Sequence, residues 1–423
     1  MHRRQILRAA AAASTLATGA ALPWSARAAL GISRPAGSVL IVGGGMAGAT
    51  LAKYLRLWSG GRVGVTLVER EAHYTSCIMS SLVLTGQRSL ASLNFSHAAL
   101  AKNHGVTLRR GEVVALDAER PAVQLADGNW LTADRIVLAP GIEFDPVAGL
   151  SDPLAMPHAW KAGEQTAALA RQLQALPPRG RVLLTIPKVP YRCPPGPYER
   201  ACLIADWLRQ HKPQSRLTVL DANADFVVER DNFSEAFFGL HGDVIDYHTS
   251  VEVQSVDQDT HHLYTNQGAF QAEVVNLIPR QRAPALLGRA GLLNSPDGRF
   301  AAVNMLSYAS TAAPKVHVLG DASHTPQPKA GHIANQEAKV CADALIRGFN
   351  GLPPDPAPVT NSACFSTITQ TQASWLHALF QYDPARATMV PVAAAGGASN
   401  GWNGDHFEAM GTWFRALMAD SFA

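Results

Sequence analysis

The sequence predicts an α/β protein built from two similar units with parallel sheets, the second unit being inserted into the first. Three observations support this prediction. A buried-strand pattern runs straight into a glycine-rich turn and a helix, a second strand–helix–strand pattern follows near the middle of the chain, and each unit has a short hairpin before a returning strand. Length and composition agree with this prediction. A chain of 423 residues is too long to fold around a single hydrophobic core. A content of 47% hydrophobic and 16% charged residues is ordinary for a globular protein.

The N-terminal segment, residues 1–28, has the pattern of an export signal. Arg3 and Arg4 precede a weakly apolar run over residues 9–24, which ends at the small-x-small site Ala26-Arg27-Ala28. The paired arginines favour the twin-arginine route, which carries folded proteins; the alternative is an ordinary signal with a chance arginine pair. We therefore expect a periplasmic protein whose signal is removed near Ala28.

Composition excludes several classes of function. Four of the 36 lysines and arginines fall within residues 1–28, so the rest of the chain holds 32 basic against 33 acidic residues. This balance gives no electrostatic support for binding nucleic acid. No later stretch reaches about 18 uninterrupted apolar residues, so we expect no membrane span. The fifteen histidines are scattered, which indicates no metal site, and no C-x-x-C-H motif is present for a c-type haem.

The cysteine pattern does not indicate a structural disulfide framework. Five cysteines, an odd number at low density, stand at positions 77, 193, 202, 341 and 364. One or two bridges are compatible with an oxidising compartment. In a chain this long we expect such a bridge to serve chemistry rather than stability.

A dinucleotide-binding motif opens the first unit. Residues 38–42 have the pattern of a buried strand, and the G-x-G-x-x-G sequence that follows begins at Gly43. Gly43 permits the tight turn, Gly45 allows a close approach of the backbone to a pyrophosphate, and Gly48 lets the helix pack on the strand. The N-terminus of that helix would face the phosphates. Glu69, at the end of the second strand, is placed to accept hydrogen bonds from ribose hydroxyls.

Two later segments favour FAD over NAD as the dinucleotide. Residues 134–141 resemble the second motif of flavoproteins, in which a strand returns to the cofactor. Residues 315–322 resemble the third motif, in which an aspartate, here Asp321, holds the ribityl chain. Each segment alone could be a buried strand that ends in a turn, but three motifs in this order predict FAD.

The second unit lacks the glycine loop that its plan requires. After the strand predicted over residues 181–186, residues 187–197 read PKVPYRCPPGP. Proline has no N–H and cannot adopt a positive φ, so this loop cannot cradle a pyrophosphate, and an NAD(P)H-dependent disulfide reductase is disfavoured. Cys193 stands on this loop ahead of a helix predicted over residues 198–210. A position near a helix start predicts a lowered thiol pKa, the alternative being an inert, half-buried thiol.

Several strings resemble the flavoprotein subunit of flavocytochrome c sulfide dehydrogenase, a relative of sulfide:quinone oxidoreductases. Residues 193–200, CPPGPYER, are the most specific of them. Residues 74–80, YTSCIMS, resemble the segment to which that family attaches FAD through a cysteine thioether, and residues 361–366, NSACFS, resemble its C-terminal cysteine motif. Residues 158–166 and 276–279 also match, so the resemblance runs from about Ser38 to the C-terminus.

The resemblance implies a fold and a domain plan. The fold would be two Rossmann-like FAD/NAD(P)-binding-type domains arranged as in glutathione reductase, with a C-terminal flavocytochrome-type flavin-binding segment. The FAD-binding domain would comprise residues 36–147 and 280–350. Residues 148–279 would form the second domain with the redox cysteine loop, and residues 355–423 the C-terminal domain near the flavin.

The resemblance also implies roles for particular residues. Cys193 and Cys364 would form a redox disulfide, although spacing alone leaves Cys202 and Cys341 as rivals. Glu199 would accept a proton, or else be a first-turn glutamate favoured by the helix dipole. With the motifs above, the expected cofactor-binding residues are Gly43, Gly45, Met46, Ala47, Gly48, Glu69, Arg70, Cys77 (as the covalent link to FAD), Val114, Ala139, Pro140, Gly141, Gly320, Asp321, His332 and Trp413. Trp413 could equally be a core or interface aromatic residue.

The expected activity is oxidation of sulfide with transfer of electrons through FAD to a separate c-type cytochrome. One alternative is a sulfide:quinone oxidoreductase, which would need a membrane-binding element. An apolar stripe in the last helix is the candidate for such an element: Phe407, Met410, Phe414, Leu417 and Met418. Another alternative is a flavoprotein accessory of a sulfur-oxidation complex that does not itself turn over sulfide.

Overall fold

The computed structural model describes residues 37–423, so the predicted signal segment lies outside the described part of the chain. Within residues 37–423 the predicted α/β fold is confirmed, with two sheets whose strands all run parallel. No helix in this part of the chain is long and apolar enough to cross a bilayer.

Residues 37–147 begin the first unit. The strands are β1 (Ser38–Val42), β2 (Gly64–Glu69), β3 (Tyr74–Thr75), β4 (Asn94–Phe95), β5 (Thr107–Arg110), β6 (Val113–Asp117), β7 (Ala122–Leu125), β8 (Trp130–Thr132), β9 (Arg135–Leu138) and β10 (Glu143–Phe144). The helices are α1 (Met46–Trp58), α2 (Ser81–Leu84) and α3 (Ala98–His104). β1 pairs in parallel with β2 and β9, and this central position explains its continuous run of buried apolar residues.

Residues 148–279 form the second unit. Its strands are β11 (Arg181–Ile186), β12 (Arg216–Asp221), β13 (Ile245–Thr249), β14 (Val253–Asp257), β15 (His262–Thr265), β16 (Gly268–Gln271) and β17 (Val274–Asn276). Its α-helices are α4 (Glu164–Ala175), α5 (Gly196–His211) and α6 (Arg230–Ser234), the last continued by a π-helix, Glu235–Leu240. The parallel sheet has the order β13-β12-β11-β17, and the proline-rich loop joins β11 to α5.

Residues 280–349 bring the chain back to the first sheet. Their elements are β18 (Gln281–Arg282), α7 (Ala285–Arg289), β19 (Ala301–Ala302), β20 (Val316–Val318), β21 (Ser323–His324) and α8 (Gly331–Phe349). β20 pairs in parallel with β9, which completes the order β20-β9-β1-β2-β5. The second unit is therefore inserted between two strands of one sheet.

The C-terminal segment is an antiparallel sheet followed by a long helix. Its elements are β22 (Val359–Thr367), β23 (Ala373–Asp383), β24 (Thr388–Pro391), β25 (Gly397–Ala398) and α9 (Gly404–Phe422). The apolar stripe of α9 belongs to the main hydrophobic core, with four residues buried and Phe407 packed against them: Met410, Phe414, Leu417 and Met418. The stripe that we considered as a membrane-binding element is thus packed against the protein's own core.

Two helical glycines give a matched test of how closely α1 packs. A Cβ at Gly48 would collide with the carbonyl oxygen of Gly43, whereas a Cβ at Gly348 in α8 would meet nothing within 4 Å. We expect Gly48→Ala to lower the free energy of unfolding by about 1–3 kcal/mol, because the turn cannot move aside. Gly348→Ala should raise it by roughly 0.5–1 kcal/mol, because alanine loses less backbone entropy in a helix. Thermal unfolding followed by circular dichroism measures both, and equal effects would contradict the close packing.

Candidate active site

A cavity of about 1140 Å³ opens where the glycine-rich turn, the proline-rich loop and the C-terminal sheet meet. It exceeds the ~300–1,000 Å³ common for ligand pockets, so it has room for a dinucleotide. The predicted site residues that line it are Gly43, Gly45, Met46, Ala47, Glu69, Arg70, Cys77, Ala139, Pro140, Gly141, Cys193, Glu199, Gly320, Asp321, His332, Cys364 and Trp413. Segments that are far apart in the sequence thus share one site.

Two predicted cofactor-binding residues lie outside the cavity lining. Gly48 lies under the turn, where it lets α1 approach Gly43. The side chain of Val114 does not line the cavity: Val113 lines it, whereas Val114 is 37% exposed and its carbonyl accepts a hydrogen bond from Arg289. The two residues differ because successive side chains of a strand point to opposite faces.

The turn after β1 has the shape that close approach of a ligand requires. Gly43 has a φ of +99°, and a Cβ there would collide with the carbonyl oxygen of Ala139, so the position requires glycine. The N–H of Gly44 donates to Glu69 Oε2 at 2.6 Å, which fixes the carboxylate at the end of β2. His97 Nε2 donates to the carbonyl of Gly44 at 2.7 Å. No local motif indicated His97, because it reaches the turn only through the fold.

Two buried nitrogen donors in the cavity wall lack hydrogen-bond partners in the described structure. They are Arg192 Nη2 and Trp413 Nε1. A buried N–H without a partner is costly, so both groups fit a polar molecule held in the cavity. Arg192 Nη1 also lies 4.0 Å from Asp321 Oδ2. Sequence reasoning missed Arg192, whose only signal was its place directly before Cys193.

His332 holds the strand that carries Cys364. The N–H of Ala363 donates to His332 Nδ1 at 3.0 Å. Burial lowers the pKa of His332, so the ring stays neutral and accepts this bond. The imidazole lies 6.2 Å from the ring of Trp413, measured between centroids. His332 therefore connects α8, β22 and α9 at the cavity.

The backbone around Cys193 holds this residue in an unusual conformation. Its φ is +59°, in the left-handed region that non-glycine residues rarely adopt. The N–H of Cys193 donates to the carbonyl of Lys329 at 2.7 Å, and its own carbonyl accepts from the N–H of Gly196 at 2.9 Å. A Cβ at Gly196 would lie 2.9 Å from Cys193 Sγ, so the glycine makes room for the sulfur. Such strain is typical of functional positions.

The predicted lowering of the Cys193 pKa is wrong. Burial raises it well above the ordinary thiol value, and the negative charges of Cys364 and Glu199 add to the increase, against a smaller opposing effect of Arg192. Burial likewise raises the pKa of Cys364 to about 12. At Cys193, desolvation and nearby negative charges therefore raise the thiol pKa by more than the helix N-terminus lowers it. Both cysteines line the same cavity.

All five cysteines lie within the described residues, and all are free thiols in the structure, so the expected Cys193–Cys364 bond is not formed in it. Cys77, Cys193 and Cys364 line the cavity. Cys202 in α5 and Cys341 in α8 are fully buried and do not line it. The geometry thus favours Cys364 over either rival as the partner of Cys193.

Glu199 lies in the first turn of α5, beside the cysteines. Its Oε1 accepts a hydrogen bond from Thr367 Oγ1 at 2.9 Å. Burial raises the pKa of Glu199 to about 7, although the bond from Thr367 opposes the rise. A carboxyl group with this pKa can take up and release a proton near neutral pH, which a glutamate that only caps a helix would not do.

Three family models match parts of the chain, which together comprise residues 37–279 and 356–422. The model for pyridine nucleotide-disulphide oxidoreductases matches residues 37–174. The model described as the central part of the sulfide dehydrogenase (flavocytochrome c) flavoprotein chain matches residues 166–279. The model described as the flavin-binding part of flavocytochrome c sulphide dehydrogenase matches residues 356–422. The second match contains Cys193, and the third contains Cys364.

Individual relatives are similar at low identity. The mitochondrial sulfide:quinone oxidoreductase of Schizosaccharomyces pombe is 23% identical over 349 residues, 74% of each chain. A type II NADH:quinone oxidoreductase of Haemophilus influenzae is 31% identical over 110 residues, which span 26% of this chain and only 25% of that protein. The structure of the sulfide:quinone oxidoreductase of Aquifex aeolicus has a TM-score of 0.75 at 16% identity and covers 91% of both chains.

These findings agree with the geometry of the cavity. The structural likeness shows the fold of FAD-dependent disulfide oxidoreductases, and the C-terminal match adds a flavin-binding segment. The chain has FAD-binding domains and is a flavin oxidoreductase related to sulfide dehydrogenases and sulfide:quinone oxidoreductases. The matches to its central and C-terminal segments indicate the flavoprotein subunit of flavocytochrome c sulfide dehydrogenase.

Proposed function

We propose that this protein is the flavoprotein subunit of a periplasmic sulfide dehydrogenase that passes electrons from sulfide through FAD to a c-type cytochrome. One observation carries the proposal: the glycine turn, Cys193 and Cys364 line the same cavity. Residues 1–28 direct export by the twin-arginine route, with cleavage near Ala28. Residues 36–147 with 280–350 bind FAD, residues 148–279 carry the cysteine loop, and residues 355–423 close the site.

Residues from three segments would hold the cofactor. The glycine turn and the start of α1 suit the pyrophosphate, Glu69 a ribose, and Asp321 the ribityl chain. Arg192 and Trp413 supply the buried N–H donors that lack partners. When bound, FAD supplies an acceptor for an electron pair that can then be passed on singly.

The cysteine pair carries the sulfur chemistry. Hydrosulfide attacks one sulfur of a Cys193–Cys364 disulfide, so the S–S bond breaks, a persulfide forms on the attacked cysteine, and the other cysteine leaves as a thiolate with the electron pair. Because burial raises the pKa of both thiols, a thiolate is unstable there. The thiolate therefore tends to donate its electrons or to take up a proton.

Glu199 handles the proton in this scheme. The attacking hydrosulfide brings one proton, which the persulfide must lose before sulfur can be released. Glu199 lines the cavity with the cysteines, and its pKa of about 7 suits a base that works near neutral pH.

Anaerobic titration of the matured holoprotein with sulfide tests the sulfur chemistry. We expect sulfide to bleach the flavin absorbance of the wild type and to leave that of Cys193→Ser oxidised, because the variant cannot form the disulfide. Cys341→Ser is the matched control, since this thiol is buried away from the cavity. Wild-type flavin that sulfide leaves oxidised while NAD(P)H reduces it would refute the proposal.

Reoxidation of the sulfide-reduced protein distinguishes the two candidate electron acceptors. The likeness to sulfide:quinone oxidoreductases makes a quinone the second candidate acceptor. Against it, the apolar stripe of α9 is occupied by core packing. Mixing sulfide-reduced protein with a soluble c-type cytochrome or with a short-chain quinone should give faster reoxidation by the cytochrome. Preference for the quinone would replace the proposed acceptor and leave the cysteine chemistry in place.

Substitution of Glu199 should change the pH dependence of flavin reduction. The carboxylate fraction grows as pH rises through about 7, so the contribution of Glu199 to the rate grows over the same range. We expect Glu199→Gln to slow reduction by about 10²-fold above that pH and by less below it. Because hydrosulfide also titrates near neutral pH, the measured quantity is the ratio of wild-type to variant rates at each pH. A ratio independent of pH would argue against a proton-accepting role.

Cys77 tests covalent attachment of the cofactor. Its sulfur lines the cavity, with the N–H of Ala162 at 3.5 Å. We expect flavin to remain with the acid-precipitated wild-type protein and to be released into the supernatant from Cys77→Ala, because only the thioether survives unfolding. Cys341→Ala should retain its flavin as the wild type does. Release of FAD from the wild type would show that binding is non-covalent.

A further inference from the structure

The indole of Trp160 contacts the backbone next to Cys193 and borders the cysteine sulfur. Trp160 lies in residues 158–166, a string to which the resemblance assigns no role. Its Nε1–H donates to the carbonyl of Arg192 at 3.1 Å. A Cβ at Gly196 would lie 2.9 Å from Trp160 Cη2 and 2.9 Å from Cys193 Sγ, so the indole and the sulfur border the same narrow space. The side chain of Trp160 is buried and lines the cavity.

Three successive polar groups of the backbone at Cys193 are each held by a different segment of the chain. The N–H of Arg192 donates to Gln281 Oε1 at 2.8 Å. The carbonyl of Arg192 accepts from the indole of Trp160. The N–H of Cys193 donates to the carbonyl of Lys329 at 2.7 Å. The peptide bond that leads into Cys193 is therefore fixed on both of its edges.

This fixation accounts for the conformation of Cys193. A non-glycine residue with a φ of +59° is strained, and such strain persists only where the surroundings impose it. Without the indole N–H, the carbonyl of Arg192 would lose this donor, and the peptide bond could rotate toward a relaxed conformation. Among the three groups that hold the peptide, the indole of Trp160 is also the one that borders the sulfur.

Trp160 is itself held firmly. Its backbone N–H donates to His158 Nδ1 at 2.8 Å. Burial lowers the pKa of His158 to about 3, so the imidazole is neutral near pH 7 and accepts this bond. The guanidinium of Arg200 lies 4.6 Å from the centroid of the indole ring and donates to the carbonyl of His158 at 3.0 Å. The indole is therefore a rigid support for the loop.

We propose that Trp160 is the positioning residue of the sulfide site and holds Cys193 where its sulfur can exchange with Cys364. The inference rests on the proposed function. In that reaction, the S–S bond of the pair breaks, a sulfur–sulfur bond to hydrosulfide forms, the electron pair leaves with the other cysteine, and the substrate proton goes to Glu199. Trp160 takes no part in these bond changes and acts through the backbone and the space beside Cys193.

Anaerobic reduction of the flavin at increasing sulfide concentration, followed by stopped-flow absorbance, tests this role. Trp160→Phe keeps an aromatic ring and removes the N–H, so we expect a limiting rate about tenfold lower, in line with the loss of one hydrogen bond. The half-saturating sulfide concentration should stay the same in this variant, because the lost N–H faces the backbone. Trp160→Ala also removes the wall beside the sulfur and should lower the limiting rate about 10²-fold, the effect of a reacting group misplaced by about 1 Å.

Two controls separate positioning from a general loss of structure. Dithionite reduces flavin without the cysteines, so the Trp160 variants should match the wild type with this reductant. Trp207→Phe makes the same change at a buried indole of α5 outside the cavity lining and should match the wild type with sulfide. Equal losses with sulfide and dithionite, or a wild-type rate with sulfide in Trp160→Ala, would overturn the role of Trp160 alone. A wild type that sulfide leaves oxidised would overturn the proposed function itself.

Discussion

The buried guanidinium of Arg200 fixes the arrangement on which the rest of the site depends. It is 1% exposed and donates to the carbonyls of His158 at 3.0 Å and Ala159 at 2.9 Å, to Asn276 Oδ1 at 3.0 Å and to Ser81 Oγ at 3.4 Å. Ser81 belongs to the first unit and Asn276 to the last strand of the second. A buried charge requires such full pairing, and removing it would leave several acceptors unsatisfied. Helix α5 is therefore held in one position between the two units.

That position decides where the chemistry takes place. Arg200 directly follows Glu199, and Cys193 lies at the end of the loop that leads into the same helix. Two backbone N–H groups of this loop are already bonded to other parts of the protein. That of Cys193 donates to the carbonyl of Lys329, and that of Arg192 donates to Gln281 Oε1 at 2.8 Å. A phosphate-binding loop would leave such groups free for its ligand. The same strand–loop–helix plan thus presents phosphate donors in the first unit and a sulfur in the second.

The sequence predicted the parts of this site that depend on local pattern. A strand, three glycines and an acidic residue at the next strand end predict the turn around Gly43, because each requirement is local. The direction of the Cys193 pKa could not be predicted, since it depends on burial by segments such as β22 that join only in the folded protein. Arg192 was missed for the same reason, because the surroundings that leave its Nη2 without a partner come from distant parts of the chain. The lining position on β6 is Val113 rather than Val114, because neighbouring residues of a strand face opposite sides.

Burial has two effects at this site that work together. It raises the pKa of the thiols, so that a thiolate at either cysteine is unstable near neutral pH, which under the proposed function favours the loss of its electrons once the disulfide is cleaved. It also raises the pKa of Glu199 to about 7, so that the same low-polarity surroundings create a base able to exchange protons near neutral pH. One cause, the removal of water from the cysteines and the neighbouring carboxyl group, therefore suits both kinds of group to the proposed reaction.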